Sequence, residues 1–147
     1  MLFRSIELVE QPTLVGTEGS VSTLPLDIRK HLAADESLTD LNAAFNLAAH
    51  QTFGIFNIKL MKCGGISAAL EIANVAKAAN IDLFWGCNDE SIVGITAALH
   101  VAFAAQNTKY IDLDGSLDLA EDVVESGFVL KKGFMYLPKG KGLGLKF

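Results

Sequence analysis

Only two cysteines, three prolines, one tryptophan and two tyrosines occur among the 147 residues. Cys63 and Cys87 stand far apart, with no C-x-x-C and no Cys/His clustering, which excludes a disulfide framework and a thiolate zinc site and fits the reduced thiols of a cytoplasmic protein. Positive charge is scarce too. Twelve Lys and Arg against seventeen Asp and Glu leave a formal charge of −5, the wrong sign for phosphate neutralisation, so nucleic acid is not expected as a partner. Long apolar runs are also missing. The opening Met1-Leu2-Phe3-Arg4-Ser5-Ile6-Glu7 meets an acid before an apolar core of a leader can form, and the stretch from Ile95 to Ala105 is interrupted by Thr96 and His100. Neither a signal peptide nor a membrane span is expected. What is plentiful is apolar content: 50% hydrophobic residues, 20% charged, and a mean hydropathy of +0.34. A lone domain of this length buries roughly 70% of its unfolded surface and needs no staple, so the chain reads as one globular domain or part of one.

Periodicity divides the chain into alternating elements. Ser5 to Val9 is a short β-prone run stopped at Glu10-Gln11-Pro12, and Ile28 to Ala34 reads as a second strand ending at Asp35-Glu36-Ser37. Gly16 to Pro25 is turn-rich. Thr39 or Asp40 caps a helix whose apolar residues Leu41, Ala44, Phe45, Ala48 and Ala49 recur at three- and four-residue spacing, closed by Gly54. Ile55 to Met61 is a third strand, Ile66 to Ala79 a helix, Ile81 to Trp85 a strand, Ser91 to Ala105 an alanine-rich helix, Lys109 to Leu113 a strand and Leu117 to Glu125 a helix. From Gly127 onward, glycine and lysine dominate and only short β pieces are expected. Five strands alternating with helices predict right-handed βαβ units in a parallel sheet. No G-x-G-x-x-G follows the first strand, and the polar residues gather where strands end, which favours part of a (β/α)8 barrel over an open doubly wound sheet. A whole barrel has eight strands; five are counted here.

The chemistry-bearing residues lie just past those strands: Glu10, then Asp35 and Glu36, Lys59 within the third, Asn88, Asp89 and Glu90 after the fourth, and Asp112 and Asp114 at the fifth. Carboxylates on adjacent strand ends can share a divalent cation, and all-oxygen ligation suits Mg²⁺ better than zinc. Acids in such places also serve merely to cap helices or solvate a rim. Lys59 falls within the apolar segment Phe56-Asn57-Ile58-Lys59-Leu60-Met61, either snorkelling at a strand end or acting as a base whose pKa burial and a nearby cation lower. Lys62 competes for that role. Their three-residue separation along a strand puts them on opposite faces, so only one can face the metal.

Four strings occur in order: Val9-Glu10-Gln11-Pro12, Ala34-Asp35-Glu36-Ser37, Ile58-Lys59-Leu60-Met61-Lys62-Cys63-Gly64-Gly65-Ile66 and Asp112-Leu113-Asp114-Gly115. Together they resemble consecutive motifs of the enolase superfamily, muconate-lactonizing subgroup, and most of all its dipeptide (L-Ala-D/L-Glu) epimerases. The resemblance covers essentially the whole chain and implies strands four to eight of a (β/α)8 TIM barrel with their helices. Residues 1–126 would form that C-terminal part of the barrel, and 127–147 a segment that packs on a capping domain.

By the same resemblance, Glu10 and Asp35 are metal ligands, Glu36 stands behind them, and Lys59 is the base, five residues before the first glycine of Gly64-Gly65. Glu90 approaches the substrate, and Asp112 and Asp114 hold the α-ammonium group of a dipeptide. Asp89 stands where an apolar residue is usual. The implied chemistry is proton abstraction α to a carboxylate with Mg²⁺ stabilising the enediolate. The family's Lys-x-Lys motif, its third metal ligand and its cap have no counterpart in these residues. The expectation is therefore a fragment of a Mg²⁺-dependent isomerase, inactive alone, with weakened Mg²⁺ binding and a small dipeptide or carboxylate substrate in the parent enzyme. Muconate cycloisomerase or succinylbenzoate synthase chemistry is the alternative within the class. A non-catalytic interaction module, docking through lysines 131, 132, 139, 141 and 146, is the alternative outside it. Open strand edges further predict a homo-oligomer.

Overall fold

The computed structural model describes residues 6–147. Five strands form one parallel sheet in sequential order: β1 (Val9–Glu10), β2 (Leu32–Ala34), β3 (Ile55–Ile58), β4 (Asp82–Trp85) and β5 (Thr108–Ile111). Each crosses to the next through helical chain: α1 (Leu26–Arg29), α2 (Leu41–Ala49), α3 (Leu60–Cys63), α4 (Ile66–Ala78) and α5 (Ile92–Ala104). Sequential order, parallel pairing and intervening helices make this a run of barrel strands, as the strand count predicted. Of the first expected strand, Ser5 lies outside the described residues, Ile6–Leu8 are not strand, and only Val9 pairs, together with Glu10.

Period-two alternation sorts the strand residues. Phe56, Ile58, Leu83 and Trp85 join the large core beneath the helices, together with Leu38, Phe53, Ile72, Ile95 and Leu99. Ala33, Ile55 and Phe84 point to the other, concave face, where Leu8 and Tyr110 cover them. Phe84 and Tyr110 meet edge-on there, with ring centroids 6.1 Å apart. The helices begin where caps direct them: the Asp40 side chain accepts from the Ala43 N–H at 2.9 Å, and the Ser91 hydroxyl accepts from Val93 at 3.2 Å. α5 is buried almost all round, from Ile95 to Ala102, because the C-terminal chain lies on its outer side. The Phe128 N–H donates to the Thr96 hydroxyl at 3.0 Å, and a hairpin of β6 (Val129–Lys131) and β7 (Phe134–Tyr136) supplies the short β pieces expected after Gly127.

Three expectations are corrected. The strand expected over Ile28–Ala34 is only Leu32–Ala34, since the preceding residues form the helical turn α1 after Pro25. The strand expected over Ile55–Met61 stops at Ile58; the chain turns helical at Leu60 and is closed by Gly64 at φ +95°. The helix expected over Leu117–Glu125 is a 3₁₀ turn at Gly115–Asp118 followed by irregular chain, where Asp122 is used to accept from the Ile92 N–H at 2.6 Å.

Candidate active site

The C-terminal ends of β1, β2 and β3 bring Glu10, Asp35 and Lys59 together. Glu10 ends β1, Asp35 follows β2 directly, and Lys59 is the first residue past β3, its backbone still extended at φ −118°, ψ 123°. Asp35 is buried, and its carboxylate is held from both sides. Lys59 Nζ donates to Oδ2 at 2.8 Å, while Lys62 Nζ donates to Oδ1 and, at 2.6 Å, to the Asp35 carbonyl. The two lysines thus converge on one carboxylate rather than facing apart. The alternation that would separate them ends with the strand at Ile58, and one turn of α3 swings Lys62 back beneath Asp35.

Gln11, at φ +37°, fixes the loop after β2. Its Oε1 accepts from the Asp35 N–H at 2.9 Å and from the Ser37 N–H at 3.2 Å, and its Nε2 donates to the Ser37 hydroxyl at 2.7 Å. A residue forced into the left-handed region beside a cluster of charges marks a backbone over-determined by its surroundings.

Electrostatics follow from these contacts. Burial alone raises the Asp35 carboxyl, but hydrogen bonds from Lys59 and then Lys62, with their charges, outweigh it and hold the group below the ordinary carboxylate range. Glu10 is pushed up, first by burial and further by the charge of Asp35, against a hydrogen bond from Asn57 that pulls it down. Burial lowers both lysines; Asp35 outweighs it at Lys59, which is raised, and fails to at Lys62, which stays lowered. Of the two forces on Lys59, the ion pair with Asp35 thus outweighs burial.

Glu10 and Asp35 are hard carboxylate donors near enough to repel each other, the chemistry a Mg²⁺ ion relieves. Among the described residues no group of three or more His, Cys, Asp and Glu is disposed to hold a metal, so these two carboxylates by themselves offer an oxygen-only pair whose chemistry suits Mg²⁺. Glu36 is exposed beside Asp35 and reaches the lysines only through its charge.

The remaining acids form the next part of the rim. Asp112 follows β5 and Asp114 precedes the 3₁₀ turn, both exposed. Cys87 Sγ lies 3.4 Å from the Asp112 carbonyl and 3.9 Å from Asp114 Oδ1. Glu90 folds over its own loop, its Oε1 accepting from the Asn88 N–H at 3.2 Å, and Asp89 is exposed beside it. No contact joins these acids to Lys59 or Asp35. Two residues of the site went unread in the sequence, Asn57 and Gln11. The signal for Asn57 was a polar residue two positions before Lys59 inside an apolar strand.

Parallel strands with covering helices, and ionisable groups gathered at the strands' C-terminal ends, define a (β/α)8-barrel type of active-site face. The chain belongs to the enolase superfamily: the family model described as Enolase C-terminal domain-like matches residues 2–147. It is 54% identical over 142 residues to an L-Lys-D/L-Arg epimerase of Desulforapulum autotrophicum, covering 96% of this chain and 40% of that protein. The dipeptide epimerase of Methylococcus capsulatus, solved with Mg and the dipeptide L-Arg-D-Lys, superposes with a TM-score of 0.93 at 52% identity, over 96% of this chain and 40% of that one. A hydrophobic dipeptide epimerase of Enterococcus faecalis is 38% identical over 142 residues, again 40% of its length. The chain thus spans about 40% of the length of these relatives.

Proposed function

We propose that this segment supplies the metal-binding and single-base half of an epimerase acting at the carbon α to a carboxylate in cationic dipeptides. The observation that carries the reading is the Lys59 ammonium on the Asp35 carboxylate, 2.8 Å away and flanked by Glu10, on three consecutive strand ends. Glu10 and Asp35 would hold a Mg²⁺ ion, which when bound stabilises negative charge developing on the substrate carboxylate. With two protein donors, that ion binds more weakly than in a full ligand set. Lys59 takes the α-proton. It must be neutral to do so, and whatever draws charge from Asp35 removes the hydrogen bond that keeps Lys59 protonated.

Asp112 and Asp114 would accept the hydrogens of an α-ammonium group, and Asp89 and Glu90 add negative charge to the same rim. That excess suits Lys and Arg side chains, in keeping with the cationic dipeptides in the names of the relatives above half identity. Residues 127–147 would dock on a capping domain. The reduced thiols of Cys63 and Cys87 suit the cytoplasm. Open sheet edges lead us to propose self-association as well.

Inversion needs a base on each face of the carbon, and both lysines of this site stand on one carboxylate. The 147-residue polypeptide alone is therefore expected to invert no dipeptide. The test is a chimera in which residues 6–147 replace the matching segment of the Methylococcus capsulatus enzyme. With Mg²⁺ and L-Arg-L-Lys in D₂O, NMR should show inversion with α-deuteration, and Lys59→Met should remove it, by at least the 10²–10⁴-fold expected of a general base. A folded chimera inert to every dipeptide, or a Lys59→Met chimera that still inverts, overturns the reading.

A further inference from the structure

Asn57 has features that neither strand pairing nor packing requires. It lies in the middle of the sheet on β3, 1% exposed, on the same concave face as Ile55. Its Nδ2 donates to Glu10 Oε1, a bond spanning two strands, while its Oδ1 is buried with no partner. A buried amide oxygen without a donor costs about 1–3 kcal/mol, which an apolar residue of the same shape would avoid. A carboxylate accepts only, so the amide can face Glu10 only with its nitrogen, and this fixes where the oxygen points.

The second observation comes from the neighbouring strand. Gly86 follows β4, and a Cβ there would lie 2.4 Å from Asn57 Oδ1 and 2.9 Å from Nδ2. Gly86 does not occupy the left-handed region, so its backbone would accept alanine; what forbids the methyl group is the Asn57 amide. The chain therefore keeps a polar group in its core and a glycine to make room for it, both aimed at one carboxylate.

We propose that Asn57 is a positioning residue that holds the Glu10 carboxylate in the orientation for a divalent cation, with Gly86 as the clearance that lets it do so. The inference rests on the reading of Glu10 and Asp35 as cation ligands. Turning Oε1 onto Asn57 leaves Oε2 as the free donor of Glu10. Partners of ligating groups carry about 10–100-fold in metal affinity, because they pre-set the ligand before the metal arrives.

The test is Mn²⁺ affinity of the 147-residue chain, measured by calorimetry and by the free-ion signal in electron paramagnetic resonance, with a thermal melt of every variant. Asn57→Ala and Gly86→Ala are each expected to weaken Mn²⁺ binding about 10-fold or more. The double variant should lose no more than Asn57→Ala alone, since the added methyl group then has no amide to displace. Asn57→Leu, which keeps the number and branching of the side-chain heavy atoms and removes the orphaned oxygen, serves if the alanine variant melts early: it should melt above Asn57→Ala while its affinity falls equally. Affinities unchanged in Asn57→Ala and Asn57→Leu, with wild-type binding lost in Glu10→Gln, overturn the role of Asn57 and leave the ligand reading standing. Wild-type binding that is absent, or indifferent to Glu10→Gln, overturns both.

Discussion

Asp35 answers two ammonium groups at once, and its removal leaves both without their hydrogen-bonded counter-charge in a largely buried place. Breaking such a pair from one side costs about 3–5 kcal/mol, so Asp35→Asn is expected to lower urea stability at pH 7 by that order. The pH dependence follows from the directions of the shifts. Asp35 titrates below its ordinary range when folded, so its contribution is complete above that range and is lost as pH falls through the folded value. Lys59 is raised, so its contribution persists through neutrality and is lost only as pH climbs past the ordinary ammonium range. Urea midpoints across pH should show an acid limb that flattens in Asp35→Asn; an unchanged limb refutes the assignment. At this scale the sequence displayed the residue types and their order, because charged groups in apolar segments stand out. It concealed the pairing. That Lys62 joins Lys59 on Asp35 depends on a helical turn beginning at Leu60, and no spacing rule for a strand anticipates it.

Among the elements, those defined by local chemistry were legible. The helices at Leu41–Ala49, Ile66–Ala78 and Ile92–Ala104 follow apolar spacing from identifiable starts at Asp40, Gly65 and Ser91. Asp40→Ala should therefore cost about 1 kcal/mol, the usual worth of an N-cap acceptor, read as a shift in urea midpoint. Elements defined by tertiary neighbours were not legible. Leu117 to Glu125 has helical spacing, but Asp122 is claimed by the start of α5, and the backbone is diverted. Gly54 shows how closely such neighbours approach. Its N–H donates to the Arg29 carbonyl at 2.9 Å, and a Cβ on it would lie 2.3 Å from the Lys30 Cα. Backbone cannot rotate aside as a side chain does, so Gly54→Ala is expected to cost about 3 kcal/mol. Gly19→Ala, which meets nothing within 4 Å, should cost less than about 1 kcal/mol. Equal melting temperatures for the two variants would show that the α1–β3 junction yields.

At the scale of the whole sheet, β1 and β5 are the outer strands, each paired on one side only among the described residues. Natural sheets blunt such edges with charge, and β5 does so only in part. Lys109 is drawn off to Asp82 at 2.9 Å, while Ile111 remains 43% exposed. Beyond β5, Leu117, Leu130 and Phe134 are exposed around an apolar groove between α5 and the C-terminal hairpin. Covering about 800 Å² per partner of such a surface is worth on the order of 20 kcal/mol by area, before association and ordering remove much of it. The polypeptide is therefore expected to form a two-fold dimer at micromolar concentration, through the β5 edge and its groove. Light scattering after size exclusion reads the mass directly. Ile111→Lys puts a charge on the open edge, at the rim of the groove that Ile111 helps to line, and should return a monomer. A wild-type chain that stays monomeric at tens of micromolar, or an Ile111→Lys chain that stays dimeric, would show that the β5 edge is not the surface that associates.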